Sequence, residues 1–492
     1  MAGEAELRNV RLAKLEALRQ KGINPYPSAS TRTHTVRDAL GSFDALVTQE
    51  EAVTIAGRVR SIRGQGKILF IDLDDGSDSM QAVLRIDAGV SYISNETEGF
   101  DLFIDTVDLG DFIEVRGVPF ITKAGQQSID VAAWQMLTKS LLPIPDSFYG
   151  LKDEDERYRK RYLDILVNDE QKEMFLKKAK FWSVMRQFME QNGFIEVHTP
   201  TLELTTGGAE AEPFMTHHND FDEDVFLRIS VGELWQKRLM AAGFPKTYEI
   251  GRVYRNEGTS PNHLQEFTNM EFYWAYADYR DGMQLVRELY QAIAREVFNT
   301  TVFTTRGHTF DLAAEWTEID YVSEIKEQTG INVLGTTEQE IKAFLAKNHV
   351  ASEAKTFERL VDSLWKHCRK NISGPAFIVG YPDFVQPLAK RIATQEHIVE
   401  QFQVLLGGAE VGKGYSELND PEDQRQRFER QQELRKAGDK EAMMSDYDFL
   451  EMLEHGMPPT CGFGAGERLF AFLVDKPIRE VQLFPFMKPK EE

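Results

Sequence analysis

The sequence of 492 residues predicts an α+β protein of two or three domains, in which a small β-barrel of the OB type precedes a larger mixed domain. Three observations predict this. Five stretches that alternate like strands fall within residues 53–137, which suits a small barrel. Residues 248–276 alternate along two arms separated by a turn that contains Gly, Ser and Pro, as in a β-hairpin. Apolar residues at helical spacing indicate long helices on both sides of that hairpin.

The composition describes a soluble globular protein without a membrane span. Hydrophobic residues make up 42% and charged residues 28% of the chain, and no run of about 18 apolar residues occurs. The N-terminal residues are charged, so we expect no signal peptide. The two cysteines, Cys368 and Cys461, lie far apart, which indicates a reducing compartment and a cytoplasmic protein. The net charge of −22 alone argues against a nucleic-acid partner, but basic residues concentrate near the N-terminus.

The first elements are a helix and the barrel. Residues 4–21 predict an amphipathic helix whose basic side chains either contact a nucleic-acid backbone or are simply solvated. Barrel strands are predicted at residues 53–62, 68–75, 79–87, 111–122 and 127–137. The first two strands combine Phe70 with basic residues, the mixture with which such barrels bind single-stranded nucleic acid. Phe70 is equally compatible with the barrel core. The basic residues are Arg58, Arg60, Arg63 and Lys67.

A linker separates the barrel from the larger domain. Residues 143–162 contain prolines, a glycine and dense charges, which is typical of a linker. The chain therefore divides into residues 1–142, the linker 143–162 and residues 163–492. The larger domain opens with a predicted helix over residues 170–191 and a strand that ends at Pro200.

The hairpin at residues 248–276 predicts a binding platform. On the second arm one face is apolar, and the other carries Phe267, Asn269, Glu271 and Tyr273. On the first arm, alternation places Arg255 and Glu257 together with Glu249, Gly251 and Val253. A face with an arginine, carboxylates and aromatic rings suits a ligand that is anionic and cationic at once, and we predict ATP and an amino acid. The alternative is a solvated amphipathic hairpin.

Other segments supply matching groups. Gly207 and Gly208 permit close approach of a ligand, or form a plain turn. Residues 230–240 predict a helix with Glu233 near its start, and residues 281–298, 338–370 and 423–436 predict further helices. Within residues 407–420, alternation groups Lys413, Tyr415 and Glu417, whereas Glu410 joins them only if the glycines at 412 and 414 allow a bulge. Residues 462–472 form a glycine-rich strand and a helix start, where Arg468 is placed to stack or to pair with phosphate.

Together these segments resemble the class II aminoacyl-tRNA synthetases, and most closely the bacterial lysyl branch. The matching motifs are GFIEVHTP, YEIGRVYRNEG with HLQEFTNMEFY, GFGAGERL and SELNDPEDQ, and similar segments cover nearly the whole chain. The resemblance implies an antiparallel sheet flanked by helices, preceded by an OB anticodon-binding barrel. It also implies a homodimer, magnesium, and a two-step reaction in which lysine and ATP give lysyl-adenylate before transfer to tRNA.

The resemblance also implies residue roles. Those implied for ATP are Arg255, Glu257, His263, Phe267 and Arg468, of which Arg255, Glu257 and Arg468 are the catalytic set. Those implied for lysine are Gly208, Glu233, Arg255, Glu271, Tyr273, Lys413, Tyr415 and Glu417. Glu410 and Gln403 are implied for the metal, and Arg58, Lys67 and Phe70 for the anticodon.

Five features depart from the family pattern. Lys413 replaces an asparagine beside the substrate carboxylate, and it either pairs with that carboxylate or reaches inward to Glu271 or Glu417. Gln403 replaces a metal-binding glutamate, and Asn262 replaces an arginine near the ATP γ-phosphate. The stretch before Glu233 is one residue longer than usual, and the third motif is one residue shorter.

Three alternatives to an active lysine ligase remain open. A ligase for aspartate or asparagine would have the same fold, but only Lys413 favours it. A paralogue that has lost aminoacylation would act as a tRNA-binding or regulatory protein, as the altered metal and ATP positions suggest. Modification of a translation factor with a lysine derivative is typical of relatives that lack the barrel.

Overall fold

A computed structural model describes residues 2–94, 98–145, 151–209, 211–258, 260, 263–352, 354, 356–436 and 442–490, without the side chains of residues 2 and 65. The chain folds into two compact units, residues 1–151 and residues 152–492. Throughout the described part, every helix is too short or too polar to cross a lipid bilayer.

The first unit contains the predicted barrel. Its helices are α1 (Ala2–Gln20), α2 (Val36–Gly41), α3 (Phe43–Gln49) and α4 (Gly99–Thr106). Its strands are β1 (Val53–Gln65), β2 (Ile68–Asp74), β3 (Ser79–Arg85), β4 (Ser91–Tyr92), β5 (Phe112–Ile121) and β6 (Gln127–Thr138). They pair in the order β3-β2-β1-β5-β6-β4, and β3 also pairs with β6, which closes the barrel. The prediction of an OB-type barrel is therefore confirmed, whereas the pattern missed the short strand β4 and the helices α2, α3 and α4.

Two basic residues of helix α1, Arg11 and Lys14, bind protein groups, whereas Arg8 and Arg19 are exposed and stay compatible with both readings of the helix. Arg11 is buried and donates to Ser140 Oγ at 2.8 Å, and the Lys14 ammonium lies 2.7 Å from an Asp108 carboxylate oxygen. These side chains bind protein groups of the same unit, so they are neither fully solvated nor turned toward a nucleic acid.

The second unit mixes helices and strands. Its helices are α5 (Glu154–Arg159), α6 (Arg161–Val167), α7 (Asp169–Gln191), α8 (Glu233–Ala241), α9 (Tyr279–Phe298), α10 (Tyr321–Thr329), α11 (Glu338–Lys347), α12 (Phe357–Cys368), α13 (Pro421–Lys436), α14 (Tyr447–His455) and α15 (Glu467–Leu473). Its strands are β7 (Ile195–Glu196), β8 (Leu202–Glu203), β9 (Met215–His218), β10 (Glu223–Leu227), β11 (Lys246–Tyr254), β12 (Glu266–Ala275), β13 (Val302–Thr305), β14 (His308–Asp311), β15 (Thr317–Asp320), β16 (Ala376–Val379), β17 (Tyr381–Pro382), β18 (Ile398–Val399), β19 (Gln401–Leu406), β20 (Ala409–Ser416) and β21 (Thr460–Gly466).

A largely antiparallel sheet organises this unit. Eight strands pair in the order β15-β16-β19-β20-β21-β12-β11-β7, and only the two outermost pairs are parallel. Helices α7 and α9 contribute Phe181, Leu289 and Ile293 to a core that also contains Met270 and Phe272 of β12. Met270 and Phe272 of the hairpin's predicted apolar face are thus buried, whereas Tyr276, which was expected on the same face, follows the end of β12 and is 81% exposed. An α+β fold with an antiparallel sheet flanked by helices is confirmed.

Two helix predictions need correction. The single helix predicted over residues 338–370 is two helices, α11 and α12, and each begins at a threonine N-cap, Thr337 and Thr356. The threonine side chains accept hydrogen bonds from backbone N–H groups of the first helical turn. In a continuous helix those groups would donate to carbonyls of the preceding turn. Helix α8 begins at Glu233 instead of residue 230, because Gly232 adopts a left-handed conformation with φ of 65°.

Candidate active site

One cavity of about 460 Å³ in the second unit brings together every residue that was predicted for ATP, lysine and metal. Its lining includes Gly208, Glu233, Arg255, Glu257, His263, Phe267, Glu271, Tyr273, Gln403, Glu410, Lys413, Tyr415, Glu417 and Arg468. These residues come from the chain between β8 and α8, from the hairpin, from β19 and β20, and from β21 with α15. The predicted residue roles themselves stay predictions.

The hairpin presents the cavity with one face of β12. Its register pairs Glu249 with Glu271 and Val253 with Phe267, as period-2 alternation requires. Phe267, Asn269, Glu271 and Tyr273 line the cavity. On the first arm the prediction holds less well, because Glu249 is buried and its carboxylate lies 2.6 Å from the guanidinium of Arg228.

Arg255 lies just beyond the end of β11. Its Nη2 donates to the Ile229 carbonyl at 3.3 Å, and its guanidinium carbon lies 5.2 Å from the centre of the Phe267 ring. The hairpin loop that follows includes Asn262, which falls outside the described residues.

Buried carboxylates form one end of the cavity. Glu271 accepts from the Val231 amide at 2.9 Å, from Asn269 Nδ2 at 3.0 Å and from the Tyr273 hydroxyl at 3.2 Å. The loop before Glu233 therefore holds Glu271 through a backbone N–H.

Lys237 was not predicted, and it neutralises part of this acidic end. Its Nζ lies 2.6 Å from Glu417 Oε2 and 2.8 Å from Glu233 Oε1, and the Tyr415 hydroxyl also donates to Glu233. The only signal in the sequence was its position four residues after Glu233 on a predicted helix. Lys413, which was predicted to reach inward or to meet the substrate, donates to Gln386 Oε1 at 2.8 Å instead.

Burial perturbs these acids strongly. Burial and then the neighbouring Glu233 raise the pKa of Glu271 to about 7. Burial also raises the pKa of Glu417 to about 8, although Lys237 opposes the rise. For Lys237 itself, burial lowers the pKa but the carboxylates of Glu233 and Glu417 overcome it, so the net shift is upward. This charge arrangement favours the binding of a further cation.

Two glycines lie directly against the side chains of the acidic end. Gly208 has φ of 84°, and a Cβ there would lie 2.5 Å from Ser230 Oγ and 2.6 Å from the Glu233 Cβ. At Gly462 a Cβ would lie 2.0 Å from Glu417 Oε1. Both positions admit only glycine without displacing a pocket carboxylate.

A β-bulge brings Glu410 into the cavity. The pairing of β19 with β20 shifts register so that Val404 faces Gly412 and Leu405 faces Glu410, which leaves Val411 as the extra residue. Strict alternation would have turned Glu410 away, and the bulge lies directly before the first of the two glycines that were expected to allow it.

The two residues that were predicted to bind a metal, Glu410 and Gln403, offer few ligand atoms. Glu410 Oε1 accepts from Trp365 Nε1 at 2.7 Å, and Gln403 Oε1 accepts from the Tyr381 hydroxyl at 2.9 Å. Within the described residues no group of three or more His, Cys, Asp or Glu side chains is arranged to hold a metal. One carboxylate and one amide oxygen fit an ion that also binds substrate phosphates, the usual way in which Mg²⁺ is held, but not an ion caged by protein alone.

Arg468 lines the cavity from the start of α15. Desolvation by the cavity walls, followed by the nearby guanidinium of Arg255, lowers its pKa, and Glu410 opposes this shift. Crowding of guanidinium groups around few carboxylates favours an anionic ligand at this end.

The residues predicted for the anticodon lie on the first unit. Phe70 is half-buried and outside the barrel core, so it is not a core residue, and its role in binding a nucleic acid stays a prediction. Its strand neighbour Arg63 pairs with Asp72 at 2.9 Å, and Lys67 is exposed in the turn between β1 and β2. The Arg58 guanidinium carbon lies 4.1 Å from the centre of the Phe112 ring.

Comparison with known proteins gives a consistent result. The family described as tRNA synthetases class II (D, K and N) matches residues 153–488, and the OB-fold nucleic acid binding domain matches residues 53–137. A lysine–tRNA ligase of Roseiflexus sp. (strain RS-1) is 43% identical over 493 residues, covering 99% of both chains. A lysine–tRNA ligase of Thermotoga maritima is 41% identical over 492 residues, covering 99% of this chain and 97% of its own. One of Moorella thermoacetica is 41% identical over 497 residues, covering 100% of both chains.

Proposed function

This chain belongs to the class II tRNA synthetases of the D, K and N group, and from that membership we propose that it is a lysine–tRNA ligase. It activates lysine with ATP and transfers the lysyl group to the 3′ end of tRNA. The observation that carries the substrate assignment is the buried acidic end of the cavity, where Glu271 and Glu417 have raised pKa values. An aspartate or asparagine side chain would place no positive charge there, whereas the lysine ammonium restores the charge balance.

The cavity suggests an orientation for lysine. Its side-chain ammonium lies between Glu271 and Glu417, with Tyr273 as a further partner. Its α-amino group lies near Glu233 and the Gly208 backbone, at the wall where a Cβ on Gly208 would lie within 2.6 Å of the Glu233 Cβ. A shorter or uncharged side chain would leave buried carboxylates unpaired, which is how a site of this kind rejects analogues.

The rest of the cavity suits ATP. Phe267 and Arg468 are placed to enclose the adenine ring, with Glu257 and His263 as further ATP-binding groups. Arg255 is placed to stabilise the charge that develops when the lysine carboxylate attacks the α-phosphorus. The substrate carboxylate is itself the nucleophile, so the protein acts by positioning and by electrostatic stabilisation.

Magnesium enters this proposal with ATP. Glu410 and Gln403 would hold an ion that is also bound by the phosphates, and the ion would neutralise phosphate charge. Gln403 carries no charge, so of the two residues proposed for the ion only Glu410 contributes a carboxylate.

The first unit serves as the anticodon-binding module in this proposal. The barrel within residues 1–142 presents Phe70 and Lys67 outside its core, where a base can stack and a phosphate can bind. Residues 143–162 connect it to the catalytic residues 163–492. Because both cysteines, Cys368 and Cys461, are buried free thiols, we place the enzyme in the cytoplasm.

We further propose a homodimer formed through the face that carries α7 and residues 482–486. Phe484 and Phe486 expose 68% and 69% of their surface there, at a groove that Phe175 and Trp182 also line. Apolar side chains so exposed at one groove are typical of protein interfaces. Light scattering of wild type and of a Phe484→Glu variant tests this, and a monomeric wild type would reject it.

Exchange of labelled pyrophosphate into ATP tests the main proposal. Each of the twenty amino acids is supplied in turn, with Mg²⁺ present, and lysine alone is expected to support rapid exchange. Charging of lysine tRNA then tests the second step. Exchange with no amino acid would favour a tRNA-binding paralogue without ligase activity, and exchange with aspartate or asparagine would reject the lysine assignment.

A further inference from the structure

A buried ammonium joins two acids of the active-site cavity. Lys237 of α8 is 1% exposed, and its side chain does not line the cavity itself. Its Nζ lies 2.8 Å from Glu233 Oε1 and 2.6 Å from Glu417 Oε2, and both of these acids line the cavity. Lys237 can therefore act on a bound ligand only through the two carboxylates that it touches.

Each acid turns one oxygen to Lys237 and the other to a glycine of the cavity wall. Glu233 contacts Lys237 through Oε1, whereas a Cβ on Gly208 would lie 2.8 Å from its Oε2. Glu417 contacts Lys237 through Oε2, whereas a Cβ on Gly462 would lie 2.0 Å from its Oε1. Because both glycines line the cavity, the contact with Lys237 decides which oxygen of each acid is turned toward a ligand.

The contact with Lys237 is the main restraint on the Glu417 carboxylate. The backbone of Glu417 is fixed, since its N–H donates to the Thr460 carbonyl at 2.8 Å. Within the described part of the chain, however, neither of its side-chain oxygens accepts a hydrogen bond. Because one ammonium touches both acids, the distance between Glu233 Oε1 and Glu417 Oε2 cannot exceed the sum of the two contacts.

We propose that Lys237 is a positioning residue that sets the spacing of the two carboxylates which receive the ammonium groups of the amino acid, and so selects its length. This inference rests on the proposed function, in which Glu233 receives the α-amino group of lysine and Glu417 receives its side-chain ammonium. Ornithine is one methylene shorter than lysine. At a fixed spacing it cannot reach both acids, and one buried carboxylate then stays without its partner.

The charge of Lys237 also fits this role. Glu233, Glu271 and Glu417 place three carboxylates at the acidic end, and lysine brings two ammonium groups. Lys237 supplies a third positive charge, so the two signs are equal in number when lysine is bound. Burial lowers the pKa of Lys237, but the two carboxylates that it touches raise it more, which keeps the ammonium protonated. A buried carboxylate that lacks a partner is costly, so this balance favours a substrate with two ammonium groups.

Lys237→Met provides the test, because methionine is close to lysine in length but carries no charge and no N–H donor. One methylene in a pocket is worth about 10–200-fold in kcat/KM, so wild type should prefer lysine to ornithine by at least about tenfold in the exchange assay. In Lys237→Met the KM for lysine should rise and this preference should fall below about threefold, since the spacing is released. The KM for ATP should stay within about twofold, because ATP does not contact the two acids.

Lys139→Met is a matched control. Lys139 is also buried and also joins two carboxylates, those of Asp108 at 2.5 Å and Asp111 at 2.7 Å, but it lies in the first unit. Loss of a partner from a buried ion pair should lower the melting temperature of both variants. Only Lys237→Met should change the preference for lysine, whereas an equal change in Lys139→Met would reduce the effect to general destabilisation and overturn the proposal.

Lys237→Arg separates spacing from charge. Its guanidinium keeps the positive charge but is longer and planar, so it cannot hold the two carboxylates at the same distance. We expect the preference for lysine over ornithine to fall in this variant as well. If Lys237→Arg keeps the wild-type preference, charge alone is sufficient and the spacing role is wrong. This variant also carries the test if melting curves show that Lys237→Met does not fold.

Direct binding separates this inference from the proposed function. Calorimetric titration without ATP measures the binding of lysine and of ornithine to wild type and to each folded variant. If folded Lys237→Met prefers lysine as strongly as wild type, the positioning role is wrong, even if lysine-dependent exchange proceeds. Absent exchange combined with a preference for lysine that depends on Lys237 would instead reject the ligase and keep the positioning role. A wild type that binds neither amino acid would reject both.

Discussion

Glu271→Gln is the most informative single change, because it removes a negative charge from the buried acidic end without changing the size of the side chain. Glu271 accepts hydrogen bonds from a backbone amide, an asparagine amide and a tyrosine hydroxyl. A glutamine keeps the shape and one acceptor oxygen, but it has no negative charge with which to form an ion pair with an ammonium. We therefore expect the KM for lysine to rise while the KM for ATP holds.

The burial of Glu271 determines how far kcat/KM for lysine should fall. Truncating one partner of a buried charge pair costs about 2–5 kcal/mol, so kcat/KM for lysine should fall at least roughly 30-fold. The pKa of Glu271 is about 7, so its ionised fraction rises about tenfold between pH 6 and pH 8. Since lysine pairs with the ionised form, wild-type kcat/KM for lysine should increase over this interval. In Glu271→Gln the part of the increase that Glu271 causes should disappear.

Glu203→Gln is a matched control for this experiment. Glu203 is also buried with its pKa raised to about 7, mainly by burial, but it does not line the cavity. Pyrophosphate exchange at pH 6 to 8.5 measures both variants, in a range where the lysine side chain stays protonated. The reasoning is refuted if Glu271→Gln keeps the wild-type KM and pH profile, or if Glu203→Gln changes them equally.

Four further outcomes are expected. Arg255→Gln should lower the exchange rate by about 10²–10³, as loss of one group aimed at developing charge does, and an unaltered rate would remove Arg255 from the reaction. Gly462→Ala should raise the KM for lysine severalfold, because its Cβ would lie 2.0 Å from Glu417 Oε1; an unchanged KM would place lysine elsewhere. Phe70→Ala should raise the KM for tRNA about tenfold or more through lost base stacking without affecting exchange, and equal loss in both assays would contradict the anticodon role. Lysine should raise the melting temperature more at pH 8 than at pH 6. A protein loses stability as the pH rises from the unfolded to the folded pKa of an acid whose pKa folding raises, so Glu271 and Glu417 without the lysine ammonium destabilise the protein more at pH 8. Calorimetric scans with and without lysine measure this, and an equal shift at both pH values would argue against charge pairing.

Local patterns were sufficient for much of the site. Alternation alone placed Phe267, Asn269, Glu271 and Tyr273 on one face of β12, and all four line the cavity. The pattern worked because side-chain direction in a strand has a period of two and needs no knowledge of neighbours. It failed at Glu249, which shares the expected face but is covered by Arg228. Alternation within one strand cannot predict which side chain from another segment packs over it.

Glu410 shows where local reasoning needs a second condition. The glycines after it permitted a bulge, but a glycine permits many conformations and selects none of them. The register between β19 and β20 selected one, with Val411 as the extra residue. Lys237 shows a deeper limit, because nothing near it in the chain signals Glu417, whose carboxylate lies 2.6 Å from its ammonium.

By itself, the sequence determined the barrel, the hairpin, the helix-rich second unit and the kinds of side chain offered to the ligands, because these follow from periodicity, turn residues and motifs along the chain. The tertiary structure alone decided that Lys237 meets Glu233 and Glu417. It also raised the pKa values of Glu271 and Glu417. Charge and desolvation act through space, so they depend on which distant segments pack together and not on the order of residues.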